Sequence, residues 1–273
     1  MNFLTSLTDV CRMFPYAVLC GCIVAISCGF IGVFVLLKRM VFISVALSEC
    51  SACGIAAASL LGIPAFGGAA ACSLLSVLLL SRDWEQQRIP RDAMLGAVFV
   101  GASALSVLLV SRSGMGLLEI KALLYGDLLL ASGHDCALLA AVHLPLFLLG
   151  LIFLKPLIYV FLDRNCSQII NLPVRLLEIA FFVCLAIAIS SAGKTCGALL
   201  VFCNLSVTPA IGLLLSKRLH IVLALTILSS LISTIGGLAV AFHFDLPGNQ
   251  CIIVFSCALL IFALLYRRFV RRA

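Results

Sequence analysis

The stretch Pro15-Tyr-Ala-Val-Leu-Cys-Gly-Cys-Ile-Val-Ala-Ile-Ser-Cys-Gly-Phe-Ile-Gly-Val-Phe-Val-Leu-Leu37 contains no charged residue, and Lys38-Arg39 stops it. As a helix rising 1.5 Å per residue it is about 35 Å long, enough to cross a hydrocarbon layer of about 30 Å. Its apolar residues run continuously instead of alternating, which argues for helix over strand. In lipid a helix also pairs every backbone N–H and C=O within its own segment.

Working outward, the same pattern recurs near 42–62, 65–81, 93–111, 136–160, 176–193, 197–216, 219–242 and 250–267. The third run is the shortest, and Pro64 with Gly67-Gly68 suits a tight turn at its start. Hydrophobic residues make up 64% of the 273-residue chain and charged residues 11%, against about 25% charge in soluble proteins. The fold class expected is all-α: a polytopic transmembrane bundle of eight to nine spans, one domain over 1–273. No polar stretch is long enough to build a soluble core beside it.

Orientation follows from the basic residues in short loops. Lys38 and Arg39, then Arg82, Arg88 and Arg91, then Lys155, Arg164 and Arg175, then Lys217 and Arg218, and finally Arg267, Arg268, Arg271 and Arg272 alternate with loops poor in Lys and Arg. The C-terminus is therefore expected in the cytoplasm and, with an odd number of spans, the N-terminus outside. The net charge of +7 reflects basic residues meeting anionic lipid and requires no nucleic acid. Residues 1–14 form a short N-terminal segment without the features of a cleaved signal peptide, so the first span is expected to stay. The 14 cysteines lie mostly inside apolar runs, where a thiol acts as a small hydrophobe that lets helices pack closely.

Few residues carry chemistry. Ala192-Gly193-Lys194-Thr195 ends like a phosphate-binding loop, but Ala188 stands where the first glycine is needed. Lys194 is expected at a membrane interface with its stem buried, and the chain should have no nucleotide site of its own. The four histidines, His134, His143, His220 and His243, show no metal-ligand spacing.

Glu49 is the sharpest residue, a carboxylate inside an otherwise apolar span. Val45 and Cys53 lie four residues either side and share its helical face. A carboxylate with a thiol suits a borderline-soft ion such as zinc; snorkelling and simple packing are the alternatives. Asn204, Ser206, Thr208 and Pro209 interrupt the seventh span, where proline removes a backbone bond and should bend the helix. Residues 161–175 form a connection of mixed polarity, read either as a short helix docking on a cytoplasmic partner or as an interfacial loop, with Asp163 and Asn165 as plausible caps.

Several stretches in order resemble the permease subunits of ABC importers for manganese, zinc and iron: Gly29-Phe-Ile-Gly-Val-Phe-Val-Leu-Leu-Lys-Arg-Met40 with Ser48 and Gly54; Asp92-Ala-Met-Leu-Gly96; Leu124-Tyr-Gly-Asp-Leu-Leu129; Gly197-Ala-Leu-Leu200 with Pro209; and Asp245-Leu-Pro-Gly248 after Gly236-Gly237. The resemblance covers nearly the whole chain. It implies a multi-pass protein of the bacterial inner membrane with no cofactor of its own, carrying a divalent metal ion as cargo. The implied partners are a cytoplasmic ATPase dimer, an external metal-binding protein, and a second permease copy or sister permease, in membrane lipid. It also implies a coupling segment near 161–175, with Asp163, Arg164, Gln168 and Asn171 as the residues meeting the ATPase.

In that family an Asp and, four residues later, a His in the second helix commonly contact the ion, and here Val45 and Glu49 hold those positions. A lone carboxylate favours manganese or iron(II) unless Cys53 contributes; otherwise a sister permease or the binding protein supplies selectivity. Three other readings remain. A permease for an iron chelate or cobalamin-like cofactor usually needs about ten spans. An ion-coupled carrier should show inverted repeats and several buried charges, and an intramembrane enzyme should show a catalytic pair.

Overall fold

A computed structural model describes residues 12–80, 91–112, 126, 128–162 and 173–270. Among these residues there is no β-strand, and ten α-helices follow one another: α1 Pro15–Leu37, α2 Val41–Leu61, α3 Ala65–Leu80, α4 Arg91–Arg112, α5 Gly133–Ile152, α6 Leu154–Leu162, α7 Val174–Cys196, α8 Ala198–Leu215, α9 Leu219–Phe244 and α10 Gly248–Val270. Eight are long and apolar enough to cross a membrane, and α3 is a shorter apolar helix. This is the polytopic helical bundle expected from the sequence.

One expected span is broken. The apolar run 136–160 forms two helices, α5 and α6, separated at Phe153. Pro156 explains the break, because it has no N–H to offer the Ile152 carbonyl and its ring clashes there.

Helices α1 and α2 are the most buried, whereas α4 and α5 expose most of their surface. On one side α1 packs against α8, α9 and α5, with α10 against α8 and α9; on the other, α2 packs against α3 and α4, and α7 joins the groups through α2, α3 and α5. Small residues permit the closest crossings, as expected where lipid supplies no hydrophobic drive between helices. A Cβ on Gly54 of α2 would meet the Gly68 backbone of α3, and one on Gly32 of α1 would meet Leu205 and Pro209 of α8.

The second crossing answers the expectation about Pro209. Helix α8 continues through it, and the Leu205 carbonyl that Pro209 leaves without its helical donor faces Gly32. Asn204 is buried and accepts a hydrogen bond from Ser230 of α9 at 2.8 Å. The polar interruption therefore packs helices together.

The two ends of the bundle are tied differently. At one end Lys38 pairs with Glu178 of α7 at 2.9 Å. At the other, Lys194 reaches Asp135 at 3.3 Å, and Asn249 donates to the Cys196 carbonyl at 3.0 Å while accepting from the Leu128 amide at 3.4 Å.

Candidate functional site

Helix α2 carries the candidate residues, and glycine sets its limits. Gly62 closes it in the left-handed conformation (φ 67°), which glycine adopts without Cβ strain. Gly54 lets α3 close against it. Within the span, Val45 and Glu49 are half-buried and Cys53 is 9% exposed. With Val41 and Ala57, also half-buried, they follow the i, i+4 spacing of one face. Between Ile43 and Ala58 every half-buried residue of α2 lies on this face, and Glu49 sits at its middle.

The Ser103 hydroxyl on α4 approaches the Glu49 carboxyl. The other carboxyl oxygen is unpartnered: Oε2 is buried and has no hydrogen-bond partner among the described residues. A buried oxygen without a donor is costly, and a cation or a partner's N–H or O–H would relieve that cost. Ser103 carried no sequence signal, since serines are common in these spans.

Cys53 lies near Glu49, with Cys50 and Cys72 close by. Across the Gly54–Gly68 contact, Cys50 and Cys72 are each one turn from the crossing, and Ser76 donates to the Cys72 carbonyl at 2.9 Å. Among the described residues no three His, Cys, Asp or Glu side chains are grouped so as to hold a metal ion. The structure thus offers one unsatisfied carboxylate oxygen beside thiols, not a preassembled multidentate site.

Ala192-Gly193-Lys194-Thr195 lies in the last turn of α7, where carbonyls, not N–H groups, are free; a helix C-terminus repels phosphate. Lys194 is half-exposed (53% of its side chain) and pairs with Asp135 at 3.3 Å. That aspartate is fixed by a capping box with Ser132. Asp163, Arg164, Gln168 and Asn171 lie outside the described residues, as does the cap expected at Asn165.

Nothing in its spacing singled out His143. It is 1% exposed in α5, with Nδ1 2.5 Å from Ser27 Oγ of α1 and Nε2 3.0 Å from Ser191 Oγ of α7.

Residues 11–267 match the ABC 3 transport family. The chain belongs to this family. The match spans the bundle from before α1 into the last turn of α10, so this ABC 3 protein is a multi-pass membrane component of an ABC transport system. It is 26% identical over 270 residues to the manganese transport system membrane protein MntC of Halalkalibacterium halodurans, covering 97% of this chain and 92% of the relative. It is also 26% identical over 272 residues to the chelated iron transport system membrane protein YfeD of Yersinia pestis, covering 97% and 90%. Its fold matches a chain of PsaBC from Streptococcus pneumoniae, solved in complex with a Fab, with a TM-score of 0.86 and 20% identity over 95% of each chain. At that identity the likeness speaks for the fold alone.

Proposed function

We propose that this ABC 3 chain is the permease subunit of an ATP-driven importer of divalent transition-metal ions in a bacterial inner membrane, with manganese or iron(II) as the favoured cargo. The observation that carries the choice of cargo is the Glu49 carboxyl, a hard oxygen donor with a buried, unpartnered Oε2 on the half-buried face of α2. Hard oxygen ligands suit manganese, and a thiol contribution from Cys53 would move the preference toward zinc. Relatives named for manganese and chelated iron transport support the same reading.

The chain works with a cytoplasmic ATPase dimer, an external metal-binding protein and a second permease copy or sister permease. ATP binding and hydrolysis move the permease between inward and outward states, with Asp163, Arg164, Gln168 and Asn171 in the segment that meets the ATPase. Glu49 acts as a transient ligand: a pathway ion must bind well enough to enter and weakly enough to leave. One carboxylate oxygen meets that need better than a closed four-ligand cage.

The test is cellular metal content. Cells expressing the permease with its ATPase and binding protein should accumulate manganese or iron above cells lacking the permease, with zinc little changed. Accumulation of an iron chelate in place of the free ion would favour a chelate permease, and uptake without the ATPase would favour an ion-coupled carrier.

A further inference from the structure

Helices α1 and α5 run side by side in the same direction, and their contacts climb in step. Gly133 faces the Tyr16 ring, which a Cβ there would meet at 3.4 Å. Further along, His143 Nδ1 lies 2.5 Å from Ser27 Oγ, and beyond it Phe147 meets Phe30 edge to face at 5.2 Å between centroids. Between the first two of these contacts the seam brings two cysteines together. Cys20 precedes Ser27 by seven residues and Cys136 precedes His143 by seven. Seven residues are about two helical turns, so parallel helices that pair Ser27 with His143 also pair Cys20 with Cys136. The two thiols are within hydrogen-bonding reach of each other, and neither is in a disulfide.

The pair sits at the exterior end of the bundle. Basic residues mark the opposite end, where Lys38 closes α1. Cys20 lies in the second turn of α1, and Cys136 follows Asp135, whose carboxylate pairs with the half-exposed Lys194. Cys136 is half-buried and Cys20 fully buried, so a reagent from outside meets Cys136 first. Cys196 of α7 is near Cys20 but has no exposed surface. Among the described residues no third ligand is grouped with the pair to hold a metal ion, whereas two thiols in contact suit a disulfide. Disulfides persist outside the cytoplasm, where conditions are oxidising. The closer approach that the bond requires falls on α5, of which only Leu139 and His143 among the described residues are buried.

We propose that Cys20 and Cys136 are an oxidisable dithiol site, which closes to a disulfide by exchange with a disulfide compound outside the membrane and ties the exterior end of α5 to α1. The Cys136 thiolate attacks one sulfur of the external disulfide and expels its other half as a thiolate. The Cys20 thiolate then attacks Cys136 Sγ of this mixed disulfide and expels the second half. Two protein thiols lose two protons and two electrons, and the external disulfide leaves as two thiols. The site does not depend on which cargo the chain carries.

The probe is oxidised glutathione, added to the purified full-length protein, with remaining thiols alkylated and peptides mapped by mass without reduction. A peptide joining Cys20 to Cys136 should form in most molecules and open again with dithiothreitol. It should survive in Cys251→Ser, whose thiol lies at the same end of the bundle in α10. Cys20→Ser should leave Cys136 carrying one glutathione, since the thiol that resolves it is gone. Hydrogen exchange of 133–140 should fall about threefold or more on oxidation, as local opening is suppressed. In spheroplasts, where oxidised glutathione stays outside, the same link should form. Both thiols alkylated after oxidation, or Cys20 joined to Cys196 instead, overturns the pair. Cys136 without glutathione in Cys20→Ser overturns the order of attack, and a link with unchanged exchange overturns the tie. A link in the purified protein but not in spheroplasts overturns the exterior placement. If Cys20→Ser does not fold, the wild-type peptide map still decides the pair.

Discussion

The ammonium of Lys38, the C-cap of α1, lies 2.9 Å from Glu178 Oε1 in the second turn of α7, with both side chains less than one-fifth exposed. The rings of Phe161 and Phe182 flank it, their centroids 5.0 and 4.9 Å from Nζ. The sequence marked Lys38 only as the end of a span, yet its charge joins α1 to α7 beside the last turn of α6.

Removing one member of this pair strands the other in a poorly solvated place, a loss of about 3–5 kcal/mol for a buried pair. Lys38→Met should therefore lower the melting temperature of the purified permease clearly. Adding Glu178→Met should recover most of the loss, since a well-packed apolar pair replaces a buried ion pair at little cost. A double variant no more stable than Lys38→Met would show that the ammonium acts elsewhere.

The α2–α3 crossing depends on two glycines. A Cβ at Gly54 or Gly68 meets the facing backbone, whereas Gly67 and Gly101 have open space around them. Gly54→Ala should reduce membrane abundance severalfold and Gly101→Ala should leave it near wild type, read by immunoblot of washed membranes. Equal abundance of the two variants would mean that the crossing relaxes without loss.

Asn249 joins the start of α10 to the end of α7 and to the turn at Leu128. Asn249→Ala leaves a buried carbonyl and amide without this partner, costing about 1–3 kcal/mol for each group left unsatisfied. The variant should unfold at lower denaturant concentration, and an unchanged midpoint would show that water replaces the amide.

The Lys194–Asp135 pair should matter little. More than half of the lysine side chain is exposed, and such pairs contribute about 0–1 kcal/mol. Lys194→Ala should keep stability and uptake near wild type. Loss of nucleotide binding in that variant, measured on the isolated permease, would reopen the phosphate-loop reading that the α7 C-terminus argues against.

The bundle was legible because lipid makes a simple demand: long uncharged runs must become helices that pair their own backbone, and basic residues mark their ends. Glu49 was legible for the same reason, as a charge where none is cheap. What the sequence hid depends on pairing across distance. His143 becomes distinctive only when Ser27 and Ser191, 116 and 48 residues away, close on its ring. Ser103 is one serine among many until α4 packs beside α2. The break at Phe153 had its signal in Pro156, but the apolar run on both sides masked it, as hydropathy does not register a missing N–H.

The most direct test of the account is uptake of the accumulated metal by Glu49→Ala and Glu49→Asp, at membrane abundance matched to wild type. If Glu49 is a pathway ligand, alanine should abolish most uptake, at least tenfold, and aspartate should retain a measurable part with a weaker apparent affinity. Wild-type uptake by the alanine variant would contradict the account and place the ion path on other residues or on a sister subunit.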